Sequence, residues 1–425
     1  MASQPVRRPA GIRHVAVMIE QHYHNAHHLG IYQGIQQYAM ETGHWRLVVD
    51  PFADYRMDQP DPPYDGVIAR ATSRLAEQAP RRGVAVVNVW RNSPVVDRLP
   101  TVIPDAVLAG RVAAEHLIAR GLRHFGTLMF RGDKLRHDLF RAFRERLSAE
   151  GFKCTACPLP VRFFTSPRGW DAGQRAMDEW IRKWRLPMGV LTSHDDFALI
   201  LANRAASCHG LSVPYDLSLI GCGNESLACA MPACKLSSID MNFRLVGYRA
   251  AELLDSLMDG AEPPRKGPPR KGLQGQGQGR GQGPAGAVLV EPKGLVARQS
   301  TDLLAVEDPV VGLAMRYMAE NCHRRIHVRD VAAAAASSLR SLQLRFDRET
   351  GRSISEQLDR LRVERAKRLL VESPAPGKEI AGQSGFGDYH HMCRAFQRRE
   401  GMSPIEFRKR RLASLSARHE TQRAE

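Results

Sequence analysis

Two short runs near the carboxyl end of this chain carry side chains of the kind that read nucleic-acid bases. In the first, Ser338, Arg340, Ser341, Gln343 and Arg345 surround the apolar pair Leu342 and Phe346. In the second, Tyr389, His390, His391, Cys393 and Arg394 surround Met392 and Phe396. Each apolar pair is spaced i and i+4, so on a helix both members turn inward and leave the polar set outside. Guanidinium groups pair with guanine acceptors and amides with adenine edges, so these outward sets are candidates for major-groove contact. Ser338 and Asp388 stand where a side-chain oxygen caps the first turn of each helix.

The elements that must position these residues are legible around them. Val328-Arg329-Asp330-Val331 opens a short helix that runs into alanines and turns at Ser337-Ser338, and Glu379-Ile380-Ala381 opens another that turns through Gly385-Phe386-Gly387. Between the two, Ser355 to Glu372 places Leu358, Leu361, Ala366, Leu369 and Leu370 on a helical period with basic residues opposite. A rigid spacer of that length would hold two recognition helices about one turn of DNA apart. The competing reading of any one such segment is a solvated basic bundle, and the pairing of two in register argues against it.

Composition supports a polyanionic partner. The chain has 425 residues, a formal charge of +16 and a pI near 9.8, and roughly +9 of that charge follows Pro309. Its length suits two or three domains with their own cores. No apolar run approaches membrane-spanning length and Met1 to Arg13 lacks a secretory hydrophobic segment, so a cytoplasmic protein with no membrane partner is expected.

The eight cysteines are scattered, which favours free thiols over a disulfide framework. Cys154-Thr155-Ala156-Cys157 is a lone CxxC and a weak signal for zinc or redox chemistry. His22, His24, His27 and His28 lack a cysteine or carboxylate spaced to complete a metal site and read as a solvent-facing or cleft-lining loop. No metal and no cofactor are expected. Without a nucleophile elbow or phosphate loop, no enzyme is expected either. The one enzymatic alternative is Cys322-His323-Arg324, which overlaps the Pro-Cys-His-Arg core of DNA alkyl-transferases, but here the cysteine follows Asn321.

Upstream, strands and helices alternate. Strands are expected at 14–20, 45–50, 66–69, 84–89, 125–130, 189–192 and 217–221, and helices at 31–42, 106–120, 135–150, 196–209 and 245–258. Such βα units predict an α/β fold with helices on both faces of parallel sheets, and their number calls for two lobes with a cleft between them. Residues 261–287 are Pro, Gly, Gln, Lys and Arg with almost nothing apolar, and are expected to be a disordered loop inside this domain. Val288-Leu289-Val290 and Leu295-Val296-Ala297 then read as returning strands. The expected organisation is a flexible 1–12, a two-lobed domain at 13–300, a linker at 301–308, an all-α double helix-turn-helix domain at 309–411 and a tail at 412–425.

Gly385-Phe386, Arg394-Ala395-Phe396 and Gly401-Met402-Ser403-Pro404-Ile405-Glu406-Phe407-Arg408 resemble the signature of the AraC family over about a hundred residues. Two positions depart from it. The tight turn of the first unit has Ala336 where glycine is usual, at a left-handed position whose cost without glycine is roughly 1 kcal/mol, and Leu344 stands where an arginine is common. Val213-Pro214-Tyr215-Asp216-Leu217-Ser218-Leu219-Ile220-Gly221, Leu236-Ser237-Ser238-Ile239-Asp240 and Gly247-Tyr248-Arg249-Ala250-Ala251 resemble the sensing domain of the lac-repressor family, itself similar to periplasmic sugar-binding proteins. The order of the two domains is similar to that of the xylose-operon activator group.

That resemblance implies a dimeric activator that binds promoter DNA, responds to a sugar or a sugar derivative in the cleft, and recruits RNA polymerase. It implies cleft roles for Asp105, Asp195 and Asn224, with His194 replacing a small or amide residue and Trp90 with His22 as a ring platform. Leu29, Leu139 and Gly223 stand where the group carries two arginines and a sugar-binding aspartate. Each loss would remove a charge-assisted hydrogen bond, commonly about 1.5 to 3 kcal/mol, which points to a changed ligand. The alternative is a ligand-independent regulator whose sensor serves only dimerisation.

Overall fold

The computed structural model describes residues 11–19, 26–130, 134–230, 234–262, 286–302, 306 and 308–410. His22, most of the expected 261–287 loop and the expected flexible ends beyond these bounds lie outside the described residues. The chain divides into two compact units, Met1–Leu303 and Leu304–Glu425.

The first unit contains two six-stranded sheets. One orders β11 (Ala287–Val290), β5 (Thr101–Pro104), β4 (Ala85–Asn88), β3 (Gly66–Ala69), β1 (Arg13–Met18) and β2 (Trp45–Val49), and every pairing in it is parallel. The other orders β12 (Gly294–Val296), β10 (Ser237–Asp240), β9 (Leu217–Cys222), β8 (Met188–Thr192), β6 (His124–Phe130) and β7 (Cys154–Leu159). Only β12 runs antiparallel to its neighbour there. Strands such as Gly66–Ala69 and Leu217–Cys222 are buried along their whole length, as a parallel sheet covered on both faces requires.

In the first lobe, helices Ala26–Thr42 and Phe243–Met258 cover one face and the short helices Ala53–Arg56 and Ser73–Gln78 the other. The two long helices approach so closely that a Cβ at Gly34 or Gly247 would collide with backbone of the other helix. In the second lobe, helices Pro167–Ile181 and Asp195–His209 pack a core of Phe163, Met177, Trp180, Phe197 and Leu201 against the sheet.

The chain passes between lobes three times: after β5, after β10 and between β11 and β12. These crossings are tied together. The Asp105 N–H donates to the Val290 carbonyl at 2.8 Å, and the Asn242 side-chain amide donates to the Glu291 carbonyl at 3.2 Å. Three short segments, bonded to one another, connect the lobes, which is the construction a hinge requires.

The second unit is helical, in the order Pro309–Asn321, Val328–Ala334, Leu339–Thr350, Ile354–Glu372, Gly377–Gln383, Tyr389–Glu400 and a last turn over 404–410. Asp308 caps the first helix, Ser338 the third and Asp388 the sixth, each accepting from backbone N–H groups of the first turn. The long helix Ile354–Glu372 is opened by a Ser353–Glu356 capping box. Its far end is closed by Arg408, whose guanidinium donates to the carbonyls of Leu370, Ser373 and Ala375. The Ser403–Glu406 pair holds the turn that delivers Arg408. Among the described residues, no helix is long and apolar enough to cross a membrane.

Candidate functional site

In open parallel sheets, ligands bind beyond the carboxyl ends of the strands, where loops diverge toward helices on opposite faces. Both lobes present those ends to one cavity of about 280 Å³. From the first lobe come Arg70 after β3, Trp90, Arg91 and Asn92 after β4, Ile103 and Pro104 of β5, His27 and His28 in the opening turn of helix Ala26–Thr42, and Phe243. From the second lobe come Leu135 and Arg136 of helix Lys134–Ala149 and His194, which follows β8.

Several contacts cross the cleft. Arg91 pairs with Asp138, with its Nε at 3.1 Å and its Nη2 at 3.0 Å from the carboxylate. The Asn92 side-chain amide oxygen, Oδ1, accepts the Lys134 backbone N–H at 2.7 Å. The imidazoles of His27 and His194 stack with centroids 5.7 Å apart, and His27 stacks on Phe243 at 4.2 Å. Burial holds both imidazoles well below the ordinary histidine range, with the Arg136 charge acting in the same direction, so they are neutral at pH 7. Each then offers one ring N–H and one acceptor nitrogen. The Arg136 side chain is 1% exposed and donates to Cys222 Sγ at 2.8 Å, and the Arg70 guanidinium lies 4.2 Å from the centre of the Trp90 ring.

Of the expected cleft residues, Trp90 and His194 line the cavity, and His22 lies outside the described residues. Asp105, Asp195 and Asn224 are not among its lining residues. Asp105 sits on a hinge segment and caps helix Ala106–Ala119 through Leu108 N–H. Asp195 is buried beneath the cavity, accepting from Ser238 Oγ and the Glu225 N–H, and burial pushes its carboxyl up. Asn224, with a left-handed backbone, accepts from Arg298 and donates to Asp240.

The three departures from the expected pattern have a structural account. Leu29 is exposed, and its neighbour His28 faces the cavity. Leu139 is buried, and the arginine that lines the cavity is Arg136, one turn earlier on the same helix. Gly223 has φ +131°, and a Cβ placed there would lie 2.9 Å from His27 Nε2. An imidazole thus occupies the space that a side chain at 223 would need. Arg70, Arg91 and Arg136 were not anticipated, because they come from three separate elements and share no local spacing.

His27 and His28 sit on a helix, where a loop was expected, and face the cavity. Among the described residues, no group of three or more His, Cys, Asp or Glu side chains could hold a metal. Cys154 and Cys157 sit three apart on one strand, so their side chains point to opposite faces, and burial pushes their thiols up to about 12 and about 11. The Cys322 thiol is buried and pushed up as well, away from the thiolate a nucleophile needs.

In the helical unit, Leu339–Thr350 buries Leu342 and Phe346 and exposes Arg340, Gln343 and Leu344, the last 67% exposed. Ser338 spends its hydroxyl oxygen on the Ser341 N–H as cap, and Ser341 is half-buried. Arg345 is turned back on Asp308 at 3.1 Å. In helix Tyr389–Glu400, His390 and Arg394 are exposed, as is Gln397, an i+3 neighbour of Arg394 that the sequence reading missed. Tyr389 lies over Gly377, with Cys393 bonded beside it, and His391 reaches Asp359 at 3.4 Å. The outward faces are therefore narrower than expected: Arg340, Gln343 and Leu344 on one, His390, Arg394 and Gln397 on the other.

These two faces belong to one rigid body. Arg362, buried in the long helix, donates to the carbonyls of Cys322, Arg324 and Ile326. Gly385, at φ +77° in the turn of the second helix-turn-helix, seats so closely on the same Cys322 and Arg324 carbonyls that no Cβ would fit.

Residues 114–272 match a family described as a periplasmic binding protein-like domain, and residues 331–410 match a helix-turn-helix domain. The xylose operon regulatory protein of Escherichia coli K12 is 26% identical over 387 residues, covering 89% of this chain and 93% of that protein. That of Haemophilus influenzae is 24% identical over 391 residues, covering 89% and 94%. A solved structure described as the xylose-binding transcription activator xylR shares the fold at TM-score 0.70 and 22% identity, across 94% of this chain and 98% of that one.

Proposed function

We infer that this chain is an AraC-type transcription regulator of the xylose-operon-regulator kind, which docks on promoter DNA under control of a sugar-class ligand held between the lobes of its sensor. The observation that carries the reading is the pairing, in one chain, of a cavity at the facing carboxyl ends of two parallel sheets with a rigid body that displays two polar helix faces. Arg340 and Gln343 suit guanine and adenine edges in one major groove, and His390, Arg394 and Gln397 address the next. Xylose, named for the solved activator, is one member of the ligand class to test, and the departures at Leu29, Leu139 and Gly223 argue for a different member of it.

A ligand that touches both lobes favours the closed hinge over the open one by its extra contacts in the closed form, and so shifts an existing equilibrium. Two copies paired through their sensors would present four reader helices, and closure would change which half-site spacing both copies can engage. RNA polymerase recruitment from that arrangement, with activation as the output, in the cytoplasm, completes the proposal. A sensor kept only for dimerisation is not favoured: buried arginine and histidine side chains converge on its cavity.

The test is promoter-fragment retention by the Arg340→Ala, Arg394→Ala double variant. Loss of two base-edge contacts should weaken specific binding by at least tenfold, from about 1 to 3 kcal/mol per bidentate pair. The unaltered chain should show a steep fall of affinity with salt. Unchanged retention by the double variant, or a flat salt response, sinks the reading.

A further inference from the structure

We propose that Leu344, at the centre of the first reader face, selects a thymine by packing on its C5-methyl group, which makes it a specificity-determining residue of the first recognition box. The proposal rests on the reading above that the helical unit docks on DNA.

An exposed leucine is ordinary on a protein surface when it stands alone. The place of this one is not. It lies two residues after Leu342 and two before Phe346, both fully buried, so at 3.6 residues per turn its side chain is directed away from the core, and it is 67% exposed. Exposed Arg340 stands one turn earlier and exposed Gln343 beside it, in the half of the helix whose residues meet base edges in a helix-turn-helix.

The chain supplies its own comparison. The two reader helices are built in one register: Ser338, Leu342, Phe346 and Gly351 of the first correspond to Asp388, Met392, Phe396 and Gly401 of the second, as N-cap, two buried anchors and left-handed C-cap. In that register Leu344 corresponds to Arg394, which is exposed. One reader thus presents a guanidinium where the other presents an isobutyl group. The guanidinium suits guanine O6 and N7. The isobutyl group can neither donate nor accept a hydrogen bond, and the apolar group that base pairs display in the major groove is the thymine methyl. Opposite another base, Leu344 would cover donors or acceptors without pairing them, at the cost of their hydration. Exposed Arg340 one turn before and Arg348 one turn after flank Leu344, with Asp347 of opposite sign, so the balance of charge around it suits a polyanion over an apolar protein surface.

In the experiment the full chain selects its own sites from a randomised duplex pool, and each thymine of the selected sites is then replaced by deoxyuridine, which removes the methyl alone. One such replacement should weaken binding of the parent chain about fourfold, the worth of one buried methyl. The same replacement should change nothing for Leu344→Ala, which should itself bind the selected site about fivefold more weakly. Alanine suits an exposed helix position, so the fold is kept. Leu344→Arg should change the preferred base at that position from thymine to guanine. Arg340→Ala should keep the full deoxyuridine effect, because that side chain meets a different base.

Selected sites in which no thymine methyl matters, or a deoxyuridine effect that persists in Leu344→Ala, overturn the assignment and leave the DNA reading standing. A Leu344→Ala chain that binds as tightly as the parent also overturns it, and loss of transcription output alone in that variant would place a protein on Leu344 instead. Failure of the parent chain to select any duplex sequence overturns both.

Discussion

Ala336 lies in the tight turn of the first helix-turn-helix with φ +46°, in the left-handed region where an L side chain is strained. The second helix-turn-helix provides its own control. There Ser384 ends the first helix, Gly385 takes φ +77° and Phe386 N–H closes on Ala381, just as Ser337 N–H closes on Ala332 after Ala336. The same turn is thus built once with glycine and once without. The Ala336 methyl is exposed, so Ala336→Gly removes no packing. Relief of left-handed strain is worth about 1 to 2 kcal/mol, and the added freedom of glycine in the unfolded chain takes back about 0.4 to 1 kcal/mol. The net is a gain of about 0.5 to 1 kcal/mol, or roughly 2 to 8 °C in the melting of a domain of this size. Differential scanning calorimetry of the full chain, following the transition of the helical unit, measures it. Ala336→Val, which crowds the same backbone with a branched Cβ, should shift that transition the other way. A glycine variant no more stable than the parent, beside a tolerated valine, would refute the reasoning.

Three further outcomes are expected. Gly385→Ala adds a Cβ against the Cys322 and Arg324 carbonyls at a left-handed position, and chemical denaturation should show a loss of about 2 to 4 kcal/mol. Gly223→Asp should cost about 2 kcal/mol in sensor stability, and pairing it with His27→Ala should recover only part, because the φ of +131° remains unsuited to any side chain. His116 is brought down to about 4, by burial first and by Arg120 second, against an unfolded value near 6.5. Its folded form resists the proton, so its contribution is fully present above pH 6.5 and is lost as pH falls toward 4. Allowing for its partial exposure, this is worth about 1 to 2 kcal/mol, and a His116→Gln chain should show a shallower decline of stability over that window.

Much of the architecture was legible in the residues. Strands Gly66–Ala69 and Met188–Thr192 and helices Ala106–Ala119 and Lys134–Ala149 announce themselves by apolar runs, by period and by a closing glycine. Helix Pro167–Ile181 did not, although Ser166 caps it and Pro167 opens it. Its glycines dilute the apolar period, and Gly173 is required because the Phe163 ring lies where a Cβ would be. The cavity was harder still. Trp90 and His194 were anticipated, but Arg136 stands in Lys-Leu-Arg-His-Asp, which reads as a solvated face until the fold buries it. Asp105, Asp195 and Asn224 illustrate the converse. Their hydrogen bonds to the backbone N–H groups of Leu108 and Glu225 and to the side chains of Ser238, Arg298 and Asp240 suit polar residues for structural reasons, and a motif cannot distinguish a carboxylate that caps a helix from one that meets a ligand. On the reader helices, sequence located the polar face but not its edges, because Arg345, His391 and Tyr389 have partners contributed by distant segments.

The clamp made by Arg362 and Gly385 constrains the promoter as much as the protein. On the proposed reading, with both helices held by this clamp, the phase between the two recognition boxes is dictated by the polypeptide: one inserted base pair would rotate the second box by about 35° away from its helix. Binding sequences for such a reader can drift by substitution within a box, at a modest loss per base, but not by insertion or deletion between boxes. If the protein pairs on DNA as proposed, flexibility in operator layout would lie between its copies.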